Sequence, residues 1–313
     1  MTEPNGWDLS EAKVQRREKI CNMTPKVSVI LASYNHEAYV EKSVRSVMAQ
    51  TGVDFELIVV DDGSKDRSPE ILKRLADELR FTYVHRPNKG VMETVKEALS
   101  LATGRYVCSF SSDDIMPPDR LKKQSDFLDA HPDAVACFGQ VIPFYNDDEI
   151  GTEMDVRYLR SVPQVTFEES FLGQKALHGC AEMFVREKIL AIGGYDMRYA
   201  FEDYPLYLKI LYNYGPQPVS KDFVCCYYRE HGDNMHVNHE KIYGEILRVL
   251  AENYSTHPLY KQAVRAWKAN WFSAEAAQSK LAALRLIPKV ISLSPRFWLR
   301  LPKLFIPRKL LKF

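Results

Sequence analysis

The feature that most constrains this chain is an alternation. Short β-branched and apolar runs each end in a polar loop and are followed by residues at helical spacing. KVSVILA (Lys26–Ala32) runs into Ser33–Asn35, and Val40, Val44, Val47 and Met48 then recur as one helix face. FELIVV (Phe55–Val60) stops at Asp61-Asp62-Gly63-Ser64. Ser68-Pro69 then reads as an N-cap with proline at the first helical position, opening a helix with Ile71, Leu72, Leu75 and Leu79 on one side. FTYVH (Phe81–His85) is a third strand. Val91, Val95, Ala98, Leu99 and Ala102 mark a helix that Gly104 is expected to stop. RYVCSF (Arg105–Phe110) leads into Ser111-Ser112-Asp113-Asp114, and AVACFG (Ala134–Gly139) follows one more helix. Strands alternating with helices imply a doubly wound, mostly parallel sheet, in which ligands bind beyond the carboxyl ends of the strands. Three polar loops fall there, at 33–37, 61–64 and 111–114, and two of them carry paired aspartates.

From Gln140 to Glu230 the pattern is less regular, and around 241–279 it turns helical. The 34 residues from Lys280 carry nine Lys/Arg and no Asp or Glu; subtracting those nine from the net +1 leaves −8 for residues 1–279. Large apolar groups alternate with those cations, which suits a segment lying in an anionic membrane interface. Pro288, Pro295, Pro302 and Pro307 are expected to break it into short pieces. The alternative is a helical subdomain packed on the core, or a dimer contact. An apolar basic stretch without a recognised binding module gives no reason to expect nucleic acid. Cys21, Cys108, Cys137, Cys180, Cys225 and Cys226 contain no C-x-x-C pair, so a reducing compartment is expected. The first residues, through about Met23, are polar and have no signal-peptide apolar core. No apolar stretch approaches the ~18 residues that span a bilayer.

Each acidic loop admits a chemical use and a plainer one. A carboxylate at Asp113 suits a divalent cation bridged to diphosphate oxygens, or shapes an Asx turn. Asp62 can accept a hydrogen bond from a base N–H, or form a turn. Tyr34 can stack on a base or simply pack. Asp203 can take a proton from a hydroxyl, or satisfy the N-terminus of the helix that follows. His231 can ligate a metal or phosphate, or be an ordinary packed histidine.

The order and spacing of these groups resemble family 2 glycosyltransferases of the GT-A fold. SVILASYN (Ser28–Asn35), ELIVVDDGSKD (Glu56–Asp66) and ATGRYV (Ala102–Val107) match that family's motifs. So do GGYD (Gly193–Asp196), EDYPLYLK (Glu202–Lys209) and YREH (Tyr228–His231). The resemblance covers roughly residues 26–235. It implies a GT-A-type α/β domain at 25–235, with a nucleotide-sugar half at 25–140 and an acceptor half at 141–235. An N-terminal extension (1–24) precedes it, and a helical, basic amphipathic region (236–313) follows.

The same resemblance assigns donor binding to Ala32, Tyr34, Glu37, Asp62, Lys96, Ser112 and Asp113, and Mg²⁺ or Mn²⁺ binding to Asp113 and His231. Asp203 becomes the general base of an inverting displacement, with His178 and Glu202 beside it toward the acceptor. Two departures stand out. The family's D-x-D is Ser111-Ser112-Asp113 here, and its A-R-N is replaced around Val95-Lys96-Glu97, leaving Lys96 or Arg86 to substitute for the arginine. The NHE after Ser33-Tyr34, with SSDD, resembles a subgroup that includes rhamnosyltransferases, pointing to a dTDP-sugar; UDP is the other candidate. The expected partners are a nucleotide-sugar donor, a lipid-linked or oligosaccharide acceptor, and the cytoplasmic face of a membrane reached through the tail. Oligomeric state is left open. Competing readings are a nucleotidyltransferase, disfavoured because ASYNHEAY lacks glycine, and a non-catalytic relative, suggested by Ser111.

Overall fold

The computed structural model describes residues 24–150, 163–231, 238–291 and 295–306. Strands β1 (Val27–Ser33), β2 (Phe55–Asp61), β3 (Thr82–His85) and β4 (Tyr106–Ser111) alternate with helices α1 (Val40–Met48), α2 (Ser68–Leu79) and α3 (Val91–Leu101). Next come α4 (Arg120–Ala130), β5 (Ala136–Phe144), β6 (Gln164–Val165), α5 (Phe167–Phe171), β7 (Glu182–Val185), α6 (Arg186–Ala191), α7 (Asp203–Tyr214) and β8 (Gln217–Arg229). Helices α8 (His239–Tyr254), α9 (Tyr260–Gln278), α10 (Lys280–Val290) and α11 (Pro295–Arg300) complete the described chain.

The eight strands form one sheet in the order β3-β2-β1-β4-β7-β5-β8-β6. β1 pairs in parallel with β2 and β4, and β2 with β3. β7 is antiparallel to both β4 and β5, and β8 is parallel to β5. The mostly parallel α/β sheet of the GT-A type is therefore what the chain builds. Alternate strand residues feed opposite faces. Ile30, Ile58 and Val60 pack with α3 and α7, whereas Val29, Leu31, Leu57 and Val59 pack with α1 and α2. Covering both faces is why these strands read as continuous apolar runs rather than alternating ones.

Several local expectations are corrected. Ser68 is the first residue of α2 rather than its cap, and its hydroxyl instead accepts the His36 N–H at 3.0 Å. Gly104 does not stop α3, which ends at Leu101; a Cβ there would lie 2.7 Å from Ser28 N, so close approach to β1 demands glycine. β5 runs on through Phe144 because its pairing with β8 continues to Arg229. Pro288 lies inside α10 without ending it. It stands two residues before the helix ends at Val290, and its missing N–H removes the intrahelical donor to the Leu284 carbonyl. Pro295 opens α11, Pro302 sits in a short 3₁₀ turn at Leu301–Leu304, and Pro307 lies outside the described residues.

The C-terminal helices pack on the main domain. Val249, Leu250 and Ala263 join the core, and Trp267 and Asn270 donate to the carbonyls of Phe171 (3.0 Å) and Gly173 (2.9 Å). Ala283, Leu286, Val290 and Phe297 bury against Phe272 and Ala276 of α9. Leu281, Leu284, Ile291, Trp298, Leu299 and Phe305 face outward. Among the described residues, no helix is long and apolar enough to cross a membrane.

Candidate active site

Strand direction gathers the polar groups. β1, β2, β3, β4, β5 and β8 all end at one edge of the sheet, and β7, running the other way, begins there. Asp62, Asp113 and His231 follow strand ends, and His178–Ala181 precedes β7. The Tyr207 hydroxyl donates to buried Glu182, which brings the first turns of α7 to the start of β7.

Asp113 is 7% exposed and its two oxygens are used differently. Oδ1 accepts from the Ser111 hydroxyl. Oδ2 lies 2.9 Å from His231 Nε2 and 4.0 Å from His36 Nε2. One donor atom from each of His36, Asp113 and His231 falls within 4.8 Å of the others. The neighbouring residues hold this group in place. His36 Nδ1 is 2.7 Å from Ser112 Oγ, and the Tyr39 ring stacks on His231 at 5.3 Å. The Arg229 guanidinium lies over Tyr39 at 4.8 Å and donates to the Asp113 carbonyl at 2.8 Å. Asp114 points inward instead. It accepts from Arg229 N at 2.9 Å and from Cys180 at 3.0 Å, tying the end of β8 to the Asp113 loop. Burial, aided by the Asp113 charge, pushes the Asp114 carboxyl up to about 7.

The first two loops lock together. Asn35, at φ +53°, donates its N–H to Ser64 at 2.8 Å and accepts from Lys65 N–H at 2.7 Å. Glu37 accepts from Arg67 N–H at 2.8 Å. Gly63 has φ +71°, and a Cβ there would meet Asn88 N at 2.6 Å. Only glycine fits both that twist and that crowding. Asp62 accepts from the Arg86 guanidinium and from the N–H groups of Lys89 (2.8 Å) and Gly90 (2.9 Å). Arg86 also binds Glu97 at 2.6 Å and Thr94 at 2.9 Å. Tyr34, 45% exposed, stands beside this rim.

A second acidic group occupies the α7 end. Glu182 is buried, accepts from Ser109 at 2.5 Å and from Tyr207, and is pushed up to about 8, chiefly by desolvation. Burial and the neighbouring Asp203 push Glu202 up to about 7. Asp203 is itself raised, again by burial, against the pull of the Tyr204 N–H that it accepts at 2.6 Å. Two adjacent carboxyls in a poorly solvated place tend to share a proton near neutrality. The His178–Glu182 segment joins the two groups: Cys180 binds Asp114, while a Cβ on Gly179 would lie 3.6 Å from Asp203 Oδ2.

A family model described as Glycosyl transferase family 2 matches residues 28–191, more than half of the chain. The chain belongs to glycosyl transferase family 2. Among family relatives, TuaG of Bacillus subtilis, described as a teichuronic acid biosynthesis glycosyltransferase, is 30% identical over 167 residues, 52% of this chain and 63% of its own. EpsE of the same organism, described as a glycosyltransferase, is 35% identical over 147 residues, 46% of this chain and 51% of its own. The match thus spans about half to under two thirds of these relatives. S. aureus TarS with UDP-GlcNAc superposes with a TM-score of 0.64 at 18% identity, covering 89% of this chain and 80% of that one. The mannosyltransferase PcManGT from Pyrobaculum calidifontis, with GDP-Man and Mn²⁺, gives 0.60 at 21%, covering 91% and 85%. At such identities the likeness speaks for the fold.

Within this family member, Ala32, Ser112, Asp113 and His231 come to the same sheet edge, with Tyr34, Glu37 and Asp62 in the adjoining loops. Lys96 does not join them. It is exposed on α3, and among the described residues no contact links it to Asp62, whose side-chain partner is Arg86. His178 Nδ1 accepts from Cys180 N–H at 3.2 Å, and its ring meets Tyr228 edge-on at 4.9 Å. Residue types did not single out His36, Tyr39 or Glu182. His36 lay in the NHE string already noticed, and Glu182 is the one acid in the apolar run AEMFV.

Proposed function

We propose that the chain is an inverting, metal-dependent glycosyltransferase. It moves a sugar from a UDP- or dTDP-linked donor to a hydroxyl of a lipid-linked saccharide in surface-polysaccharide assembly. One observation carries this reading: the Asp113/His36/His231 group and the Glu202/Asp203 pair stand at one sheet edge, joined by the His178–Glu182 segment. TuaG's description supports the polysaccharide context, and UDP-GlcNAc on TarS supports the donor class.

A carboxylate oxygen and imidazole nitrogens fit Mn²⁺, which accepts both donor types, better than Mg²⁺, which prefers oxygen. A cation bound by Asp113 and His231 would offset the charge gathering on the departing diphosphate. Asp62, held by Arg86, takes the base, and Tyr34 stacks on it. Asp203, whose proton affinity is raised by burial, receives the acceptor's proton as the new bond forms on the opposite face of the sugar. Glu202 keeps that affinity high, and His178 lines the approach. The outward apolar and basic side chains of α10 and α11 rest the enzyme on the cytoplasmic face of an anionic membrane, where lipid-linked acceptors lie. Residues 25–235 supply the chemistry and 236–313 the attachment.

The test is a melting screen of UDP-, dTDP- and GDP-sugars with and without Mn²⁺, since a ligand of the native state raises the melting temperature. A UDP- or dTDP-sugar should do so only with Mn²⁺ and should then release nucleotide slowly. If no sugar nucleotide does either, the proposal fails.

A further inference from the structure

We infer that His36, from the loop after β1, is a third protein ligand of the cation and sets its metal preference. This rests on the reading of Asp113 and His231 as the metal site. Two residues before Asp113 stands Ser111, which spends its hydroxyl on Asp113 Oδ1. Oδ2 is thereby left to face two imidazoles, with His231 Nε2 at 2.9 Å and His36 Nε2 at 4.0 Å. The donor atoms of all three residues lie within 4.8 Å of one another. Ligands about 2.1 Å from a cation sit roughly 3 to 4 Å apart, so a small closure around an ion suffices.

The surroundings of His36 are those of a ligand rather than a packed ring. Ser112, 1% exposed, meets Nδ1 at 2.7 Å. A metal-binding histidine characteristically donates its other ring N–H to such an oxygen, which fixes the tautomer and aims the bare nitrogen. In the tautomer with Nδ1–H donating to Ser112, Nε2 presents its lone pair on the Asp113 Oδ2 side. The backbone is fixed as well, because His36 N–H donates to Ser68 at 3.0 Å and its ring meets that of His231 edge-on at 6.0 Å. Two nitrogens and one carboxylate oxygen favour Mn²⁺ over Mg²⁺ more than a carboxylate pair does.

The experiment is Mn²⁺ binding to the full chain, read by calorimetry and by the nitrogen modulation of the Mn²⁺ electron spin echo. Wild type should couple to two imidazole nitrogens. His36→Ala should retain one and bind Mn²⁺ about 10- to 100-fold more weakly, while Mg²⁺ affinity changes by less than about twofold. Ser112→Ala, which leaves the imidazole in place, should keep both couplings and weaken binding less. A single nitrogen in wild type, or unchanged Mn²⁺ affinity in His36→Ala, overturns the role of His36 while leaving the Asp113 site intact. Asp113→Asn separates the two ideas: if it binds Mn²⁺ as wild type does, the metal reading and this inference fall together. Should His36→Ala not fold, the nitrogen count in wild type decides alone.

Discussion

Asp113 and Asp203 stand at the same edge of one sheet in opposite company. Donors surround Asp113: the Ser111 hydroxyl, the His231 ring and, farther off, His36. Acids surround Asp203: Glu202 beside it and buried Glu182 near the start of β7, while the Tyr204 N–H donates to it. Asp113, the proposed cation ligand, is set among hydrogen-bond donors. Asp203, the proposed proton acceptor, is set in burial beside a second carboxyl, both of which raise its affinity for a proton. This contrast is what the proposed mechanism needs, with binding at one end and proton transfer at the other.

The largest expected effect strikes the acid end. Asp203→Asn keeps the shape and removes the proton acceptor, so turnover should fall about 10²- to 10⁴-fold. Steady-state rates with saturating donor and acceptor check this, and turnover within about threefold of wild type would make the two carboxylates alike. A smaller effect concerns pH. Raised values at Glu202 and Asp203 mean that the pair still carries a proton near neutrality. Activity should therefore climb with pH through about 7, where Glu202 lies, rather than level off in the ordinary carboxylate range. Glu202→Gln removes the neighbouring charge, so its acid limb should move down by roughly a unit. A limb that stays put would mean that burial alone tunes Asp203.

The smallest effect lies outside the contrast, on the tail. Leu299 and Phe305 are 79% and 84% exposed, so replacing both with serine should leave melting unchanged. Co-sedimentation with anionic vesicles should weaken roughly tenfold. Unaltered vesicle binding would detach the tail from the membrane. Removing residues 280–313 outright is a poorer test, because it would strip Ala283, Leu286, Val290 and Phe297 from the face of α9.

Local sequence patterns carried the sheet as far as β4, since β1, β2 and β4 are largely apolar runs flanked by helical spacing. They carried less beyond it. β7 is four residues long and β6 two, and both are placed by pairing with strands distant in sequence. Proline misled at position 288 because Leu286 and Val290, on either side of it, are buried in the cluster on α9 and the helix runs through it. The tail's mixed apolar and basic pattern is expected either to lie on a membrane or to pack on the core; the structure buries one set of its apolar side chains on α9 and turns another outward. Within the site, paired acids after strands were visible as a pattern, whereas His36 was not. A lone histidine acquires meaning only once β1 and β4 are neighbours, with Ala32 opposite Ser111. Lys96 and Arg86 show the converse. Both were available to replace the missing arginine, and only the fold shows that Arg86 reaches Asp62.

Donor affinity in two variants, measured side by side by calorimetry with Mn²⁺ present, tests the division of labour most directly. Asp203→Asn should bind the sugar nucleotide within about twofold of wild type, and Asp113→Asn about 10- to 100-fold more weakly. Equal losses in both, or a loss confined to Asp203→Asn, would contradict it.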